Sequence, residues 1–317
     1  MTSSRSMVGL FAGIGGLELG GLSEHGWNTE LLCEIDPGAQ AVLRSRFADV
    51  RCTVTSPNFA RCPVTSNWWP PVSPCQDLSQ AGKTAGITGA RSGLVDEVFR
   101  LVKRKKGPRW LLIENVPFML QLGKGAAMRH ITDASKTSDT PGRTGWSTPA
   151  PSDSPQRRQR VIMLASRTDD PREILFGQDA GERLGGDPAD YPPCGFYWTE
   201  GTRGLGWAVN AVPTLKGGSS VGIPPSQPAV RLPSGEIVTP GLVDAERLQG
   251  FDPDWTLPSV EVPGLRHSHR WKLVGNAVSV RMASWVGGRL SDPIEYDAAG
   301  ETPLEPGDAW PSAAWGP

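Results

Sequence analysis

Residues 6–16, Ser-Met-Val-Gly-Leu-Phe-Ala-Gly-Ile-Gly-Gly, restrict the folds open to this chain more than any other stretch. The apolar run over 6–11 reads as a short buried strand, and Gly13, Gly15 and Gly16 let the backbone turn tightly into a helix beginning near Leu17. Such a turn serves nicotinamide or flavin dinucleotides and S-adenosylmethionine alike, and in other chains is only a tight turn. The next apolar run, residues 30–35, sharpens the choice. It ends at Glu34 and Asp36, about twenty residues beyond the glycines, where a carboxylate can accept hydrogen bonds from ribose hydroxyls. The plain alternative is an acidic helix cap.

Whole-chain properties narrow the classes. At 317 residues the chain can bury a sizeable core and hold a large lobe plus a small one. A formal net charge of −1 supplies no global field for nucleic acid, so any DNA contact must come from a local basic surface. Five cysteines without repeated CxxC or Cys/His spacing argue against a disulfide framework and a zinc site, and fit a reducing cytoplasm. No apolar run approaches the length of a membrane span.

Further along, residues 36–47 fit an amphipathic helix. Residues 93–106 fit another, with Leu94, Val98, Leu101 and Val102 at helical spacing and Lys103 to Lys106 at its C-terminal end. Residues 110–113 predict a buried strand ending at Glu114-Asn115-Val116 and stopped by Pro117. A carboxylate there lies where open parallel sheets bind ligands. Residues 161–165 predict another strand, directly after Gln156-Arg157-Arg158-Gln159-Arg160, in which Arg158 and Arg160 would share a face. Pro74-Cys75-Gln76-Asp77-Leu78-Ser79 places a cysteine after a proline and before turn-forming residues, poorly suited to a core and well suited to a thiolate that meets a substrate. Singly, the cysteine reads as a small buried hydrophobe, the glutamate as a surface charge and the arginines as a solvated patch.

Together, in this order, with the glycine turn upstream and Val274-Gly275-Asn276-Ala277-Val278 downstream, these motifs resemble those of the DNA (cytosine-5) methyltransferases of bacterial or phage type. The resemblance implies an α/β, doubly wound methyltransferase (Rossmann-like) sheet with a small irregular target-recognition domain. It implies S-adenosylmethionine as cofactor, with Phe11 packed against it, Gly13 and Gly15 lining it, Glu34 on the ribose and Asn276 on the cofactor side. Cys75 would be the nucleophile, Glu114 would hold or protonate the base, and Arg158 and Arg160 would bond the extruded base and phosphate or tie the loop down. Pro74, Gln76, Asn115, Gln156 and Thr214 would position the substrate. No metal is implied. The expected partners are duplex DNA and a cognate restriction endonuclease, with the protein acting as a cytoplasmic monomer.

The expected organisation is a catalytic, cofactor-binding domain over 1–165 and a recognition domain over 166–266. One helix over 273–290, within a returning segment 267–290, would be followed by a disordered acidic, proline-rich tail over 291–317. Glu246 and its neighbours read as helix-capping residues. Two stretches fail the pattern. Residues 52–73 show no clean strand where the sheet needs two, with Trp68, Trp69, Pro70 and Pro71 in place of a buried apolar strand, and residues 134–154 read as a flexible loop. If each codon is started from the last base of the present one, Asn67-Trp68-Trp69-Pro70 must become Leu-Val-Ala. The same step permits His-Gly-Asp-Val near Cys52 and a strand running into Gln156. Both stretches therefore read as translated out of frame, the plain alternative being a divergent member with two real loops. The disturbed stretches give one rival to the DNA enzyme, an inactive DNA-binding relic lacking central strands; a second, on the shared motifs, is a tRNA cytosine methyltransferase.

Overall fold

A computed structural model of the chain describes residues 5–54, 68–69, 98, 108–136, 142–148, 155–178, 192–197, 207–217, 227–305 and 307–316. Pro74, Cys75 and Gln76, and the helix expected over 93–106 apart from Val98, lie outside the described residues.

The chain opens with β1 (Ser6–Leu10), α1 (Gly16–His25), β2 (Asn28–Glu34), α2 (Pro37–Arg46), β3 (Arg51–Val54) and β4 (Trp68–Trp69). It continues with β5 (Trp110–Asn115), α3 (Ala126–Lys136), β6 (Arg143–Ser147), β7 (Gln156–Arg157), β8 (Val161–Ser166) and α4 (Pro171–Leu175). Short strands follow: β9 (Cys194–Phe196), β10 (Ala208–Val209), β11 (Val212–Pro213), β12 (Ala229–Arg231) and β13 (Ile237–Val238). The chain closes with α5 (Leu242–Gln249), α6 (His269–Asn276), α7 (Val280–Ser291) and β14 (Ala314–Gly316).

Eight of these strands form one sheet in the order β14-β6-β8-β5-β4-β1-β2-β3. The run from β5 to β3 is parallel, while β8 is antiparallel to both β5 and β6. Every residue of β1 and of β5 is buried, as strands covered on both faces require. Val8 and Leu10 join the core on one face with Met119, Met128 and Trp146, and Met7 joins the core on the other with Leu17, Met282 and Val286. Helix α2 starts where it does because Pro37 opens it and the Asp36 carboxylate accepts from the Gly38 and Ala39 N–H groups at 2.9 and 3.2 Å. Helices α1 and α7 touch through glycine: a Cβ at Gly16 would lie 2.2 Å from the Val278 carbonyl, and one at Gly20 would lie 2.5 Å from that of Val280.

The sheet corrects several expectations. Strands exist inside both stretches read as disturbed: β3 pairs with β2, β4 pairs with β1 and β5, and β6 pairs with β8. Of these, β4 lies in the middle of the sheet with two described residues, Trp68 and Trp69, and β3 at its edge. The single helix expected over 273–290 is two. It breaks at Ala277, whose backbone is extended, and the carbonyls of Gly275 and Ala277 both turn to the Arg158 guanidinium.

Residues 292–316 are not a disordered tail. Trp310 donates its indole N–H to the Gly125 carbonyl and packs edge-on against Trp146, whose own indole donates to the Pro311 carbonyl. Arg172 lies 3.9 Å from the Trp315 ring centroid and pairs with Glu301 at 3.1 Å, and β14 adds antiparallel to β6. The expected small domain, 166–266, holds a second sheet. Its described four-stranded sheet, β10-β9-β12-β13, runs from 194 to 238, while α4 packs on β6 and β8 and α5 packs against α6. No helix among the described residues is long and apolar enough to cross a membrane.

Candidate active site

The side expected to hold the cofactor is built by β1, the turn and β2. Phe11, Gly13 and Gly15 all take positive φ, at 58°, 58° and 86°. Two of the three are glycine, as left-handed backbone favours, and the exception, Phe11, is a constrained position packed against the core. The turn is fixed to β2 by the Ala12 N–H donating to the Cys33 carbonyl at 3.0 Å. Glu34 closes it by accepting from the N–H groups of Gly13, Ile35 and Asp36 at 2.7, 2.6 and 2.8 Å. Burial pushes the Glu34 carboxyl above its ordinary range against those three donors. Asp36 is both the cap of α2 and the anchor of α6, with His269 at 3.0 Å and Lys272 at 3.1 Å. Burial works to raise the Asp36 carboxyl, but the bonds and charge of His269 and Lys272 outweigh it and hold it below its ordinary value.

The base side is built by the ends of β5 and β7. Glu114 is 2% exposed, and its Oε1 lies 2.7 Å from Nε of Arg160, which is itself buried. The two are close enough to pair in charge but are not aligned as a hydrogen bond, and neither atom has another such partner among the described residues. Both keep their directional capacity for a third group. Arg160 donates from Nη1 to the Gln159 carbonyl at 2.7 Å. Asn115 accepts from the Val116 N–H at 2.8 Å, and its buried Nδ2 has no hydrogen-bond partner among the described residues.

Arg158 and Arg160 do not share a strand face as expected, because β7 ends at Arg157 and β8 begins at Val161. The irregular link sends them to different places. Arg158 Nη2 donates to the carbonyls of Gly275 and Ala277 at 3.0 and 2.8 Å, tying the strand end to the junction of α6 and α7. Asn276, exposed at that junction, lies beside Gly217, where a Cβ would come within 2.9 Å of its Oδ1. Thr214 binds the same seam. Its hydroxyl donates to the Arg157 carbonyl at 2.6 Å, its carbonyl accepts from Tyr197, and Val212 and Pro213 pair with Gln156 and Arg157. The structure thus brings Glu114 and Arg160 together, joins Gln156, Arg158 and Thr214 at a seam tied to the junction that carries Asn276, and sets Phe11, Gly13, Gly15 and Glu34 about the glycine turn, which touches the same junction through Gly16 and Val278.

A family model described as C-5 cytosine-specific DNA methylase matches residues 6–180. The chain is also 47% identical to Type II methyltransferase M2.BsuMI of Bacillus subtilis (strain 168), across 98% of this chain and 81% of that protein. This chain belongs to the C-5 cytosine-specific DNA methylases. Solved structures agree on the fold: the Entamoeba histolytica methyltransferase EhMeth superposes with a TM-score of 0.63 over 92% of this chain and 99% of its own, at 14% identity. The S. pombe Dnmt2 methyltransferase gives 0.61 over 90% and 97%, also at 14% identity. At that identity the likeness concerns the fold alone. Enzyme class and methyltransferase fold stand as the sequence motifs implied.

Sequence reasoning missed two features of this methylase. The Asp36–His269–Lys272 link joins residues more than 230 positions apart and leaves no local pattern. Glu18 is 1% exposed although it stands among apolar and glycine residues in the first turn of α1, and that conflict was legible in the string itself.

Proposed function

We propose that this methylase transfers a methyl group from S-adenosylmethionine to carbon 5 of a cytosine in a specific duplex DNA sequence, with Cys75 as the attacking thiolate. The observation that carries the reading is the buried Glu114–Arg160 pair at the carboxyl end of β5, close but unaligned and so left open to a substrate. Carbon 5 of cytosine is a poor nucleophile until a thiolate adds at carbon 6, so Cys75 supplies the electrons. Glu114 holds or protonates ring nitrogen 3, which keeps charge from building on the ring. Arg160 bonds the ring's carbonyl oxygen, and Arg158 fixes the strand end that carries it. Asn115 would orient the glutamate and the cysteine loop, its Nδ2 having no partner among the described residues, while Gln156 and Thr214 hold the seam to the recognition domain.

S-adenosylmethionine, when bound, supplies the electrophilic methyl group on its sulfonium. Its cradle fits: the left-handed turn at Phe11, Gly13 and Gly15 brings backbone close, Glu34 stands ready for ribose hydroxyls, and the junction at Asn276 abuts the turn through Val278 and Gly16. After transfer, a base removes the carbon 5 proton and Cys75 leaves as thiolate. The attack comes at right angles to the ring, so the cytosine must leave the helical stack at a cost of about a few kcal/mol.

Action as a cytoplasmic monomer beside a cognate restriction endonuclease belongs to the same proposal, supported by the name Type II methyltransferase carried by M2.BsuMI. The test is intact mass after incubation with S-adenosylmethionine and duplexes bearing 5-fluorocytosine, drawn from a pool of sequences. Fluorine cannot leave as a proton does, so a covalent protein–DNA adduct is expected and a Cys75→Ser variant should form none. An adduct that persists in Cys75→Ser would overturn the assignment, and tRNA outcompeting duplex DNA would move it to the tRNA enzymes. Sequencing the encoding DNA from an independent source decides the reading frame of residues 52–73 and 134–154.

A further inference from the structure

Glu18 stands third in α1, directly beneath the glycine turn, with 1% of its surface exposed. Among the described residues its Oε2 has no hydrogen-bond partner and no cationic side chain forms an ion pair with it, and the compensating bond it has is from its own backbone N–H. The charged group acting on it is Glu34, another carboxylate and the acid of the cofactor cradle. An acid buried in this way needs a reason, since an uncompensated buried carboxylate is strongly disfavoured.

The room for it is made by Gly9. Strand residues alternate in facing, and with Val8 and Leu10 turned to one core, residue 9 faces α1 as Met7 does. A Cβ at Gly9 would lie 2.0 Å from Glu18 Oε1, so the carboxylate fills the space that a side chain on β1 would occupy. Gly9 and Glu18 are a matched pair, one supplying the hole and the other the acid.

We propose that Glu18 is a cofactor-binding residue that receives the α-ammonium group of S-adenosylmethionine from beneath the turn. The inference rests on the reading of residues 11–16 and Glu34 as the cofactor cradle. The missing partner of the acid is then the ligand's own cation. Burial and the Glu34 charge hold the Glu18 carboxyl up at about 8, so before the cofactor arrives it is protonated at neutral pH, and the ammonium ion expels that proton.

The experiment is calorimetric binding to the full chain at pH 7, in two buffers of different ionisation enthalpy, with S-adenosylhomocysteine and with 5′-methylthioadenosine, which lacks the amino-acid end. Glu18→Gln should weaken S-adenosylhomocysteine about tenfold or more and leave methylthioadenosine within about twofold. The wild type should release about one more proton than Glu18→Gln on binding S-adenosylhomocysteine. Gly9→Asp combined with Glu18→Ala, which returns a carboxylate to the same space from β1, should recover most of the lost affinity. Equal loss for both ligands, no loss for either, or unchanged proton release would overturn the role of Glu18 and leave it a structural acid. A wild type that binds neither ligand would overturn the cradle itself, and this inference with it.

Discussion

Glu114 and Glu18 are buried alike, at 2% and 1% exposure, yet Glu114 has the Arg160 guanidinium 2.7 Å away while Glu18 faces a glycine. The base side thus sets a guanidinium beside its acid. The cofactor side carries two acids, Glu18 and Glu34, and meets them with backbone N–H groups alone: three on Glu34, and on Glu18 its own. One site is complete in charge without its ligand, and the other is completed by a cation from outside.

The contrast can be broken most strongly at Glu114. Glu114→Gln should lower the single-turnover methylation rate about 10²- to 10⁴-fold, the range for a lost general acid, while cofactor binding by calorimetry stays unchanged. Arg160→Ala should destabilise the fold by about 3–5 kcal/mol in urea titration, because it strands a buried carboxylate, and pairing it with Glu114→Gln should recover part of that loss. Additive losses would show that the two side chains do not act as a pair.

The cofactor side predicts a pH dependence of opposite origin. The Glu18 carboxyl lies near 8 in the folded chain against 4.5 ordinarily, so its contribution to stability is fully present below about 4.5 and is lost as pH rises through about 8. The melting temperature of the cofactor-free protein should fall across that window, and Glu18→Gln should flatten the slope. Asp36 runs the other way on a smaller scale. Held low by His269 and Lys272, it contributes stability above its ordinary value of 3.8 and loses it as pH falls further, so Asp36→Asn should remove part of the acid limb of the melting curve.

Most of the catalytic frame could be read from the residues. The strands at 6–11, 30–35, 110–113 and 161–165 are largely apolar runs, a pattern that a sheet covered on both faces favours, and each is found within a residue or two of its expected ends. The turn glycines were legible because left-handed backbone selects them. What escaped was decided by distant contacts. Arg143-Thr144-Gly145-Trp146-Ser147 carries a weak strand signal on its own and becomes β6 because β8 and β14 flank it. The tail looked unstructured by composition, but composition hides position: Trp310 and Trp315 meet Trp146, Gly125 and Arg172 across the fold. The break after Asn276 likewise depends on Arg158, more than a hundred residues upstream.

The glycine contact between α1 and α7 has a consequence for how the chain reaches its native state. Gly16 and Gly20 are shaped to receive backbone that lies some 260 residues later, and Arg5 donates to the Ser291 hydroxyl at the far end of the same helix pair. During synthesis at about 5–20 residues per second, the glycine-lined face of α1 therefore waits on the order of ten seconds or more for its partner. Closing so long a loop is entropically slow, and the interval leaves an apolar strand edge and a bare helix face exposed together. The first cofactor motif to leave the ribosome is thus the one whose packing is finished near the end.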